Sequence, residues 1–242
     1  MEYLLDNPAS ETVYQEILRR VKPLQNREVS DSMTRRGVVY KLNLGASVVS
    51  LQQLAANYTP DHLLALKLWN KQWRETMILA TLLERPDEIT ENQMDFWVKQ
   101  IQQVEIAEQV AMNLLSRSPH AYDKAVEYCL ARKSMCKITG LLTMGRLALM
   151  DKKAPNEKFE AFLELFPPLA KDSQLSTVFR RVFVQIALRN PELFEVALRQ
   201  ASLLLTLDSA VAKENAAEVI GQLDCDAVRE MVALRSQRFD SI

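Results

Sequence analysis

The sequence predicts an all-α protein, and three observations lead to that prediction. Glycine is scarce, with five residues in a chain of 242, whereas average usage of about 7% would give roughly seventeen. Apolar residues recur at helical spacing along nearly the whole chain, and no convincing alternating run indicates a strand. Because β-turns and phosphate-cradling loops need glycine, this composition argues against a barrel, a sandwich or a Rossmann domain.

Each helix is predicted by an apolar stripe at helical spacing. In the first, Ser10–Val21, the residues Val13, Ile17 and Val21 recur at i, i+4 and i+8, which is the spacing of a half-buried helix. The later stripes are, in order, Leu64, Leu68 and Trp69; Met77, Ile78 and Leu82; Phe96 and Ile101; Val104, Ala107, Ala111 and Leu115; Ala125, Tyr128 and Cys129; Ile138, Leu141, Leu142 and Leu149; and Val178, Val182, Phe183 and Ile186.

Start signals punctuate these helices. A side-chain cap followed by proline suits a helix start, because proline lacks an N–H that would be unsatisfied there. Thr90 and Gln93 match a capping box. The segment Arg27–Gly45 mixes short helical and turn signals, which predicts a cap rather than a repeat. The cap–proline pairs are Thr59-Pro60, Ser118-Pro119 and Asn190-Pro191.

Three helix starts recur at a fixed interval. Pro119, Pro155 and Pro191 are thirty-six residues apart, and each opens an amphipathic helix that a second helix follows. Such helix pairs are typical of an α-solenoid, and they fit a HEAT-type pair better than the tetratricopeptide consensus of about 34 residues. A non-repetitive helical bundle is the alternative. We expect one α-solenoid domain (an α-α superhelix of HEAT-like helix pairs) over residues 1–242, with an N-terminal cap (1–45), helix pairs (46–223) and a C-terminal helix or tail (224–242).

Charge and cysteine content exclude several function classes. The formal net charge is −1, so nucleic-acid binding requires segregated charge. The five glycines assemble neither a G-x-G-x-x-G nor a Walker loop. The cysteines are odd in number and, with two histidines, give no zinc spacing. We expect no metal, no cofactor, no export signal and no membrane span, and a cytoplasmic protein with buried thiols at Cys129 and Cys136.

An ordered series of motifs follows the first predicted helices. The motifs are Tyr58-Thr59-Pro60-Asp61-His62, Ala65-Leu66-Lys67-Leu68-Trp69, Arg74-Glu75-x-x-Ile78-Leu79-Ala80-Thr81 and Met94-Asp95-Phe96-Trp97. With these motifs the chain resembles the HEAT-like-repeat DNA alkylation-repair proteins of the AlkD type over most of residues 30–190. The resemblance implies an α-solenoid whose concave, basic face holds duplex DNA. It also implies hydrolytic excision of N3- and N7-alkylated purines in active members, without base flipping into a pocket and without metal or cofactor.

The active-site positions of that family are replaced in this chain. The family's W-x-x-x-D falls on Val104 and Glu108, its second tryptophan on Ile186, and its arginine near Lys137. In this chemistry a carboxylate must stabilise an oxocarbenium-like sugar, and the faces of aromatic side chains must stabilise the cationic base. Glutamate displaces the carboxylate, and a misplacement of about 1 Å can cost ~10²-fold in rate. Glu108 is therefore the candidate catalytic residue, and the replacements around it predict that glycosylase activity is weak or lost.

Candidate DNA contacts come from cations at corresponding helix starts. Lys133 and Lys137 share one helix face at i, i+4, beside Arg132, and a second group follows one repeat later. A mixed surface with no such groove is the alternative. The candidate DNA-binding residues are Lys133, Lys137, Arg180, Arg181 and Arg189, and further cations lie in the N-terminal region at Arg19, Arg20, Lys22, Arg27, Arg35, Arg36 and Lys41.

Simpler interpretations exist for the other distinctive residues. Apolar stripes predict core packing for Val104 and Ile186, and an acidic stretch is usually a solvated face. Tryptophans usually pack between helices, and Arg74 with Glu75 suggests an inter-repeat ion pair. The acidic stretch comprises Glu84, Asp87, Glu88, Glu91, Asp95, Glu105 and Glu108, and the tryptophans are Trp69, Trp73 and Trp97.

Taken together, these patterns predict a DNA-binding HEAT-like-repeat protein of the alkylation-repair family with weak or lost alkylpurine glycosylase activity. Two alternatives remain, because a fold does not fix a function. One is a protein-interaction scaffold without DNA binding, and the other is an active glycosylase that uses Glu108. The expected partner is duplex DNA, and a DNA-binding protein of this kind is expected at a bacterial nucleoid.

Overall fold

The structure, a computed structural model, describes residues 7–239, and it describes side-chain burial through residue 232. Within those residues the regular elements are α-helices and two short 3-10 helices, with no strand. One isolated parallel bridge pairs Leu42 with Trp73. The all-α prediction is confirmed.

The contacts divide the chain into two compact units, of which the first ends at Pro119 and the second begins at His120. The expectation of one domain stays a prediction. The helices of the first unit are α1 (Pro8–Val21), α2 (Arg27–Arg35), α3 (Val48–Ala55), α4 (His62–Asn70), α5 (Arg74–Leu83), α6 (Glu91–Gln100) and α7 (Val104–Asn113). Those of the second are α8 (Ala121–Cys129), α9 (Ser134–Met150), α10 (Asn156–Leu163), α11 (Phe166–Ala170), α12 (Ser176–Ala187), α13 (Pro191–Leu205), α14 (Ala210–Leu223) and α15 (Asp226–Phe239).

Both units stack helix pairs in two layers. In the first unit α5 packs between α3 and α7, while α4 packs on α1 and α5. In the second unit α12 packs between α9 and α14, while α13 packs on α10 and α14. The second helix of each pair therefore contacts the second helices of neighbouring pairs, as in HEAT-type repeats. This arrangement confirms the predicted helix-pair architecture within each unit.

Two of the four predicted helix-start signals agree with the structure, and two are displaced. Asn190 caps α13 by accepting from the Leu193 N–H at 2.9 Å, with proline at the first position. The capping box before α6 forms as predicted. By contrast, α4 begins after Asp61, whose carboxylate accepts from the Leu64 N–H, and α8 begins after His120. The signals Thr59-Pro60 and Ser118-Pro119 therefore precede their helices by one or two residues.

Two glycines let α9 approach its neighbours closely. A Cβ on Gly140 would lie 2.6 Å from the Ala125 carbonyl oxygen of α8, and a Cβ on Gly145 would lie 2.4 Å from Gln185 Oε1 of α12. At position 140 the short contact is with backbone, so a larger residue would push α8 and α9 apart, whereas at position 145 the flexible Gln185 amide would have to move aside. The scarce glycines of this chain thus serve helix packing rather than turns at these two positions.

Candidate nucleic-acid interface

A network of polar contacts connects the first unit where α3, α5 and α7 begin. Arg74 is the first residue of α5, and its guanidinium donates to the Ala46 carbonyl oxygen at 2.8 Å and to Glu75 Oε1 at 2.9 Å. It also donates to both carboxylate oxygens of Glu105, in the first turn of α7, at 2.8 and 2.5 Å. The Tyr40 hydroxyl donates to Glu105 at 2.8 Å. One buried arginine therefore joins the starts of three helices.

Burial and pairing oppose each other in this cluster. Burial acts to lower the pKa of Arg74 and to raise the pKa of Glu105, because it disfavours both charged forms. Their mutual hydrogen bonds and charges outweigh burial, so the pKa of Arg74 lies above its ordinary value and the pKa of Glu105 below its own. The Glu75 side chain is fully buried and accepts from the N–H groups of Leu44 and Ala46. Arg74 therefore forms its inter-repeat ion pair with Glu105, whereas Glu75, its predicted partner, is its neighbour within α5.

The interpretation of the acidic stretch as a solvated face is wrong for two of its members. Glu105 belongs to the arginine cluster just described. Glu84 is only 3% exposed, and its Oε2 lies 2.8 Å from His62 Nδ1. The hydrogen bond to Glu84 raises the pKa of His62 despite partial burial. Both carboxylates therefore serve internal contacts between elements of the first unit.

Val104 and Ile186, which stand where active members of the family have tryptophan, differ in burial. Val104 opens α7 and is 38% exposed, so the core-packing interpretation is wrong for it. Ile186 of α12 is fully buried, which confirms that interpretation there. Glu108 lies in the second turn of α7, is half-buried and has an interaction partner. Its catalytic role stays a prediction.

The tryptophans of the first unit mostly pack between helices. Trp69 of α4 and Trp97 of α6 are fully buried, with ring centroids 4.3 Å apart. The Trp69 indole N–H donates to Gln100 Oε1 at 3.1 Å. This confirms the packing interpretation for both. Trp73 is half-buried, and the Lys71 ammonium lies over its ring, 4.8 Å from the centroid.

In the second unit, two contacts show that α9 and α12 run parallel. Lys137, in the first turn of α9, forms an ion pair of 3.6 Å with Asp172, which shortly precedes α12. Arg189, which follows α12, donates to the carbonyl oxygen of Ala148 near the end of α9. The starts of the two helices therefore lie at the same end of the pair. Five cations that lie within two turns of these starts form what we call the α9/α12 cationic cluster: Arg132, Lys133, Lys137, Arg180 and Arg181.

The members of this cluster differ in exposure. Arg132, Lys133 and Arg181 are exposed, whereas Lys137 and Arg180 are half-buried. Neither α9 nor α12 has an acidic residue in its first turn or a side-chain hydrogen bond at its N-cap. Backbone N–H groups that lack such a partner at a helix start, with the positive end of the helix dipole, attract anions. The five side chains of the cluster thus have one sign, and Asp172 is the acidic side chain that pairs with one of them, Lys137.

Arg189, predicted as a DNA contact, instead makes internal contacts. It is 8% exposed, donates to the carbonyl oxygens of Ala148 at 3.1 Å and Ala154 at 2.8 Å, and lies over the Phe159 ring, 4.4 Å from its centroid. Burial lowers the pKa of its guanidinium, although Tyr122 and Asp151 act in the opposite direction. We therefore leave Arg189 out of the proposed DNA contacts.

Neither the histidines nor the cysteines form an evident metal centre in the described part of the chain. Residues 7–239 bring together no group of three His, Cys, Asp or Glu side chains that suits a metal ion. Cys129 and Cys136 are buried free thiols, as predicted, and Cys225 is an exposed one. Burial raises the pKa of the Cys129 thiol. No helix within the same residues is long and apolar enough to cross a membrane.

Comparison with known proteins agrees with this architecture. A solved structure superposes with a TM-score of 0.71, covering 86% of this chain and 94% of the other, at 16% sequence identity. It is described as a new family of proteins related to the HEAT-like repeat DNA glycosylases, with affinity for branched DNA structures. No curated protein matches the chain. The class defined by the fold is therefore that of HEAT-like helical-repeat proteins.

A family model also matches part of the sequence. Residues 17–135 match the model of the DNA alkylation repair enzyme family. The match covers the first unit from α1 and extends to the start of α9, which is 119 of the 242 residues. The resemblance found in the sequence motifs is thereby confirmed.

Proposed function

We propose that the chain binds DNA through the α9/α12 cationic cluster and has little or no alkylpurine glycosylase activity. The observation that carries the proposal is the convergence of five cations on two parallel helix starts that lack acidic first turns. Phosphate groups suit such a site, because exposed side-chain cations and helix N-termini both favour anions. The match of residues 17–135 to the DNA alkylation repair enzyme family supports DNA as the source of the phosphates.

The DNA affinity described for the structural relative guides the choice of the DNA ligand to test. That protein is described as having affinity for branched DNA structures, so a branched DNA is the first ligand to test here, beside a linear duplex. Phosphate contacts position a protein without reading sequence. Binding to both ligands with little sequence preference is therefore expected from the cluster.

The salt dependence of binding tests the proposal. Each neutralised phosphate contributes about 0.9 to the slope of log K against log salt. The double variant Arg132→Glu/Lys133→Glu should weaken affinity and reduce that slope by about two. The matched control is Arg199→Glu/Lys213→Glu, which makes the same charge change at exposed positions of α13 and α14. An affinity that does not change with salt, or equal losses in both doubles, would contradict the proposal and favour a protein-interaction scaffold.

The catalytic part of the proposal concerns α7. Val104 supplies no aromatic face, and the side chain of Glu108 is one methylene longer than aspartate. Loss of a cation–π face costs about 0.5–2 kcal/mol, and a displaced carboxylate about 2.7 kcal/mol. We expect no appreciable release of 7-methylguanine or 3-methyladenine from methylated duplex DNA. Robust release by the wild type that collapses in Glu108→Gln would instead identify a working glycosylase.

A further inference from the structure

A cavity of about 430 Å³ opens beside the start of α7, in the first unit. Buried Met77 and Ile106 line its apolar part. Its polar part consists largely of glutamine amides and carries no carboxylate. Cavities of roughly 300–1,000 Å³ with an apolar lining and a few oriented polar groups are the usual form of small-ligand sites. The contributing amides belong to Gln72, Gln100, Gln102 and Gln103.

Three of these amides are held in place by the surrounding structure. Gln72 Nε2 donates to the Trp69 carbonyl oxygen at 2.9 Å, and Gln100 Oε1 accepts from the Trp69 indole at 3.1 Å. Gln103 Nε2 donates to the Val39 carbonyl oxygen at 3.0 Å. Among the described residues, three groups take no part in these bonds and are available to a ligand: Oε1 of Gln72, Oε1 of Gln103 and the side-chain N–H groups of Gln100. The cavity therefore offers fixed neutral donors and acceptors.

Gln72 also has an unusual backbone conformation. Its φ is +58°, and it is the one non-glycine residue with positive φ in the described chain. A side chain in this region strains the backbone, and such strain clusters at ligand sites. Glycine would relieve it. The chain thus keeps a strained glutamine where glycine would fit better, at the wall of the cavity.

The surroundings of the cavity combine cationic and apolar groups. Exposed Lys41 contributes to its lining, and exposed Arg35 and Arg36 lie close by in the chain, at the end of α2. Val39 at the lining is 65% exposed, and Val104, next to Gln103, is 38% exposed. The nearby Glu105 is occupied by Arg74 and Tyr40. An exposed cation beside a neutral, partly apolar cavity suits a ligand with a phosphate and an uncharged heterocycle.

We propose that this cavity takes an unpaired nucleobase of branched DNA, with the adjacent phosphate held by Lys41. The inference rests on the proposed DNA binding and adds a base-holding site to it. Glutamine amides pair with base edges, which present neutral donors and acceptors. Apolar side chains such as Val39 and Val104 pack against unstacked bases. A paired base cannot enter, so the cavity selects nucleotides that are already unpaired, as at a branch point.

The experiment uses a DNA three-way junction with one unpaired 2-aminopurine at the branch and a distant dye. Anisotropy of the dye measures binding, and acrylamide quenching of 2-aminopurine measures burial of that base. Gln72→Gly removes one amide and relieves the positive φ, so it should keep the melting temperature. The control is Gln52→Ala, which removes an exposed amide of α3 outside the cavity. A junction with an abasic site at the same position isolates the contribution of the base.

In the wild type and Gln52→Ala, we expect the quenching constant to fall severalfold on binding. We also expect the abasic junction to bind about two- to tenfold more weakly, as loss of one net hydrogen bond predicts. Gln72→Gly should lose most of both effects and still bind the junction. Tight binding without protection of the base, or full protection by Gln72→Gly, would overturn the cavity proposal and leave DNA binding intact. Absence of any binding would overturn both proposals.

Discussion

The two units present the starts of their second helices in different ways. In the first unit the starts of α3, α5 and α7 are joined by Arg74, whose donors are directed to Glu75, Glu105 and a carbonyl oxygen. In the second unit an ion pair between Lys137 and Asp172 links the starts of α9 and α12, and the exposed cations Arg132, Lys133 and Arg181 lie within two turns of these starts. With the same repeat architecture, the charges at these helix starts are paired with one another in the first unit, whereas the helix starts of the second unit are cationic.

This difference separates structural charge from charge that is available to a ligand. The Arg74 side chain is 5% exposed and Glu75 fully buried, so their charges hold helices together and contribute little field outside. Arg132 and Lys133 are exposed and keep their interaction with solvent and anions. A count of charges in the sequence cannot distinguish these two uses, because it does not contain burial.

The largest effect on stability is expected from removing the Arg74 cation from the paired helix starts of the first unit. Arg74→Met should lower the free energy of unfolding by about 3–5 kcal/mol, because it leaves two carboxylates, one of them fully buried, without their cation. Urea unfolding followed by circular dichroism measures this loss. Lys99→Met is the control, since the Lys99 side chain is 69% exposed and a surface ion pair contributes about 0–1 kcal/mol. Equal losses in the two variants would show that the buried cluster is not what stabilises the first unit.

A smaller, pH-dependent effect is expected at Glu105. Its pKa in the folded state lies below the ordinary value, so the ionised form stabilises the fold above about pH 4.3. That stabilisation is lost as pH falls through the lower folded pKa. Glu105→Gln should therefore cost about 1–3 kcal/mol near neutral pH, and the gap to the wild type should close in acid. In an Arg74→Met background the gap should close or reverse sign near neutral pH, because Glu105 then lacks its cation. A gap that stays constant from pH 7 to pH 3 would contradict this assignment.

Much of the fold followed from the sequence because it depends on local rules. Apolar periodicity, the capping box before α6 and the Asn190 cap each involve residues close in the chain, and each was confirmed. The signals at Thr59-Pro60 and Ser118-Pro119 were displaced because Asp61 and His120 occupy the cap positions instead. A proline therefore indicates that a helix begins nearby more reliably than it identifies the first residue of that helix.

The candidate site was harder to predict because it depends on contacts between distant residues. Glu105 looked like one member of an acidic stretch, and its partner Arg74 is thirty-one residues away. Arg189 matched a cationic pattern, yet its donors are directed to two carbonyl oxygens. The glutamine cavity carried no sequence signal, since Gln72 and Gln103 meet only after folding. The Arg74-Glu75 motif was the one available indication of the buried cluster.

The smallest expected effect concerns the ion pair at the cationic end. Lys137 and Asp172 are about three-quarters buried, at 24% and 25% side-chain exposure, and their closest approach of 3.6 Å is long for a strong pair. Asp172→Asn should therefore change the free energy of unfolding by no more than about 1 kcal/mol. It also removes the negative charge that competes with phosphate for Lys137, so the affinity for DNA should rise about two- to fivefold at low salt. Asp208→Asn is the matched control, an exposed aspartate between α13 and α14, and it should leave affinity nearly unchanged. If Asp172→Asn and Asp208→Asn raise affinity equally, the gain reflects net charge alone, and the α9/α12 cationic cluster is not the phosphate-binding end of the second unit.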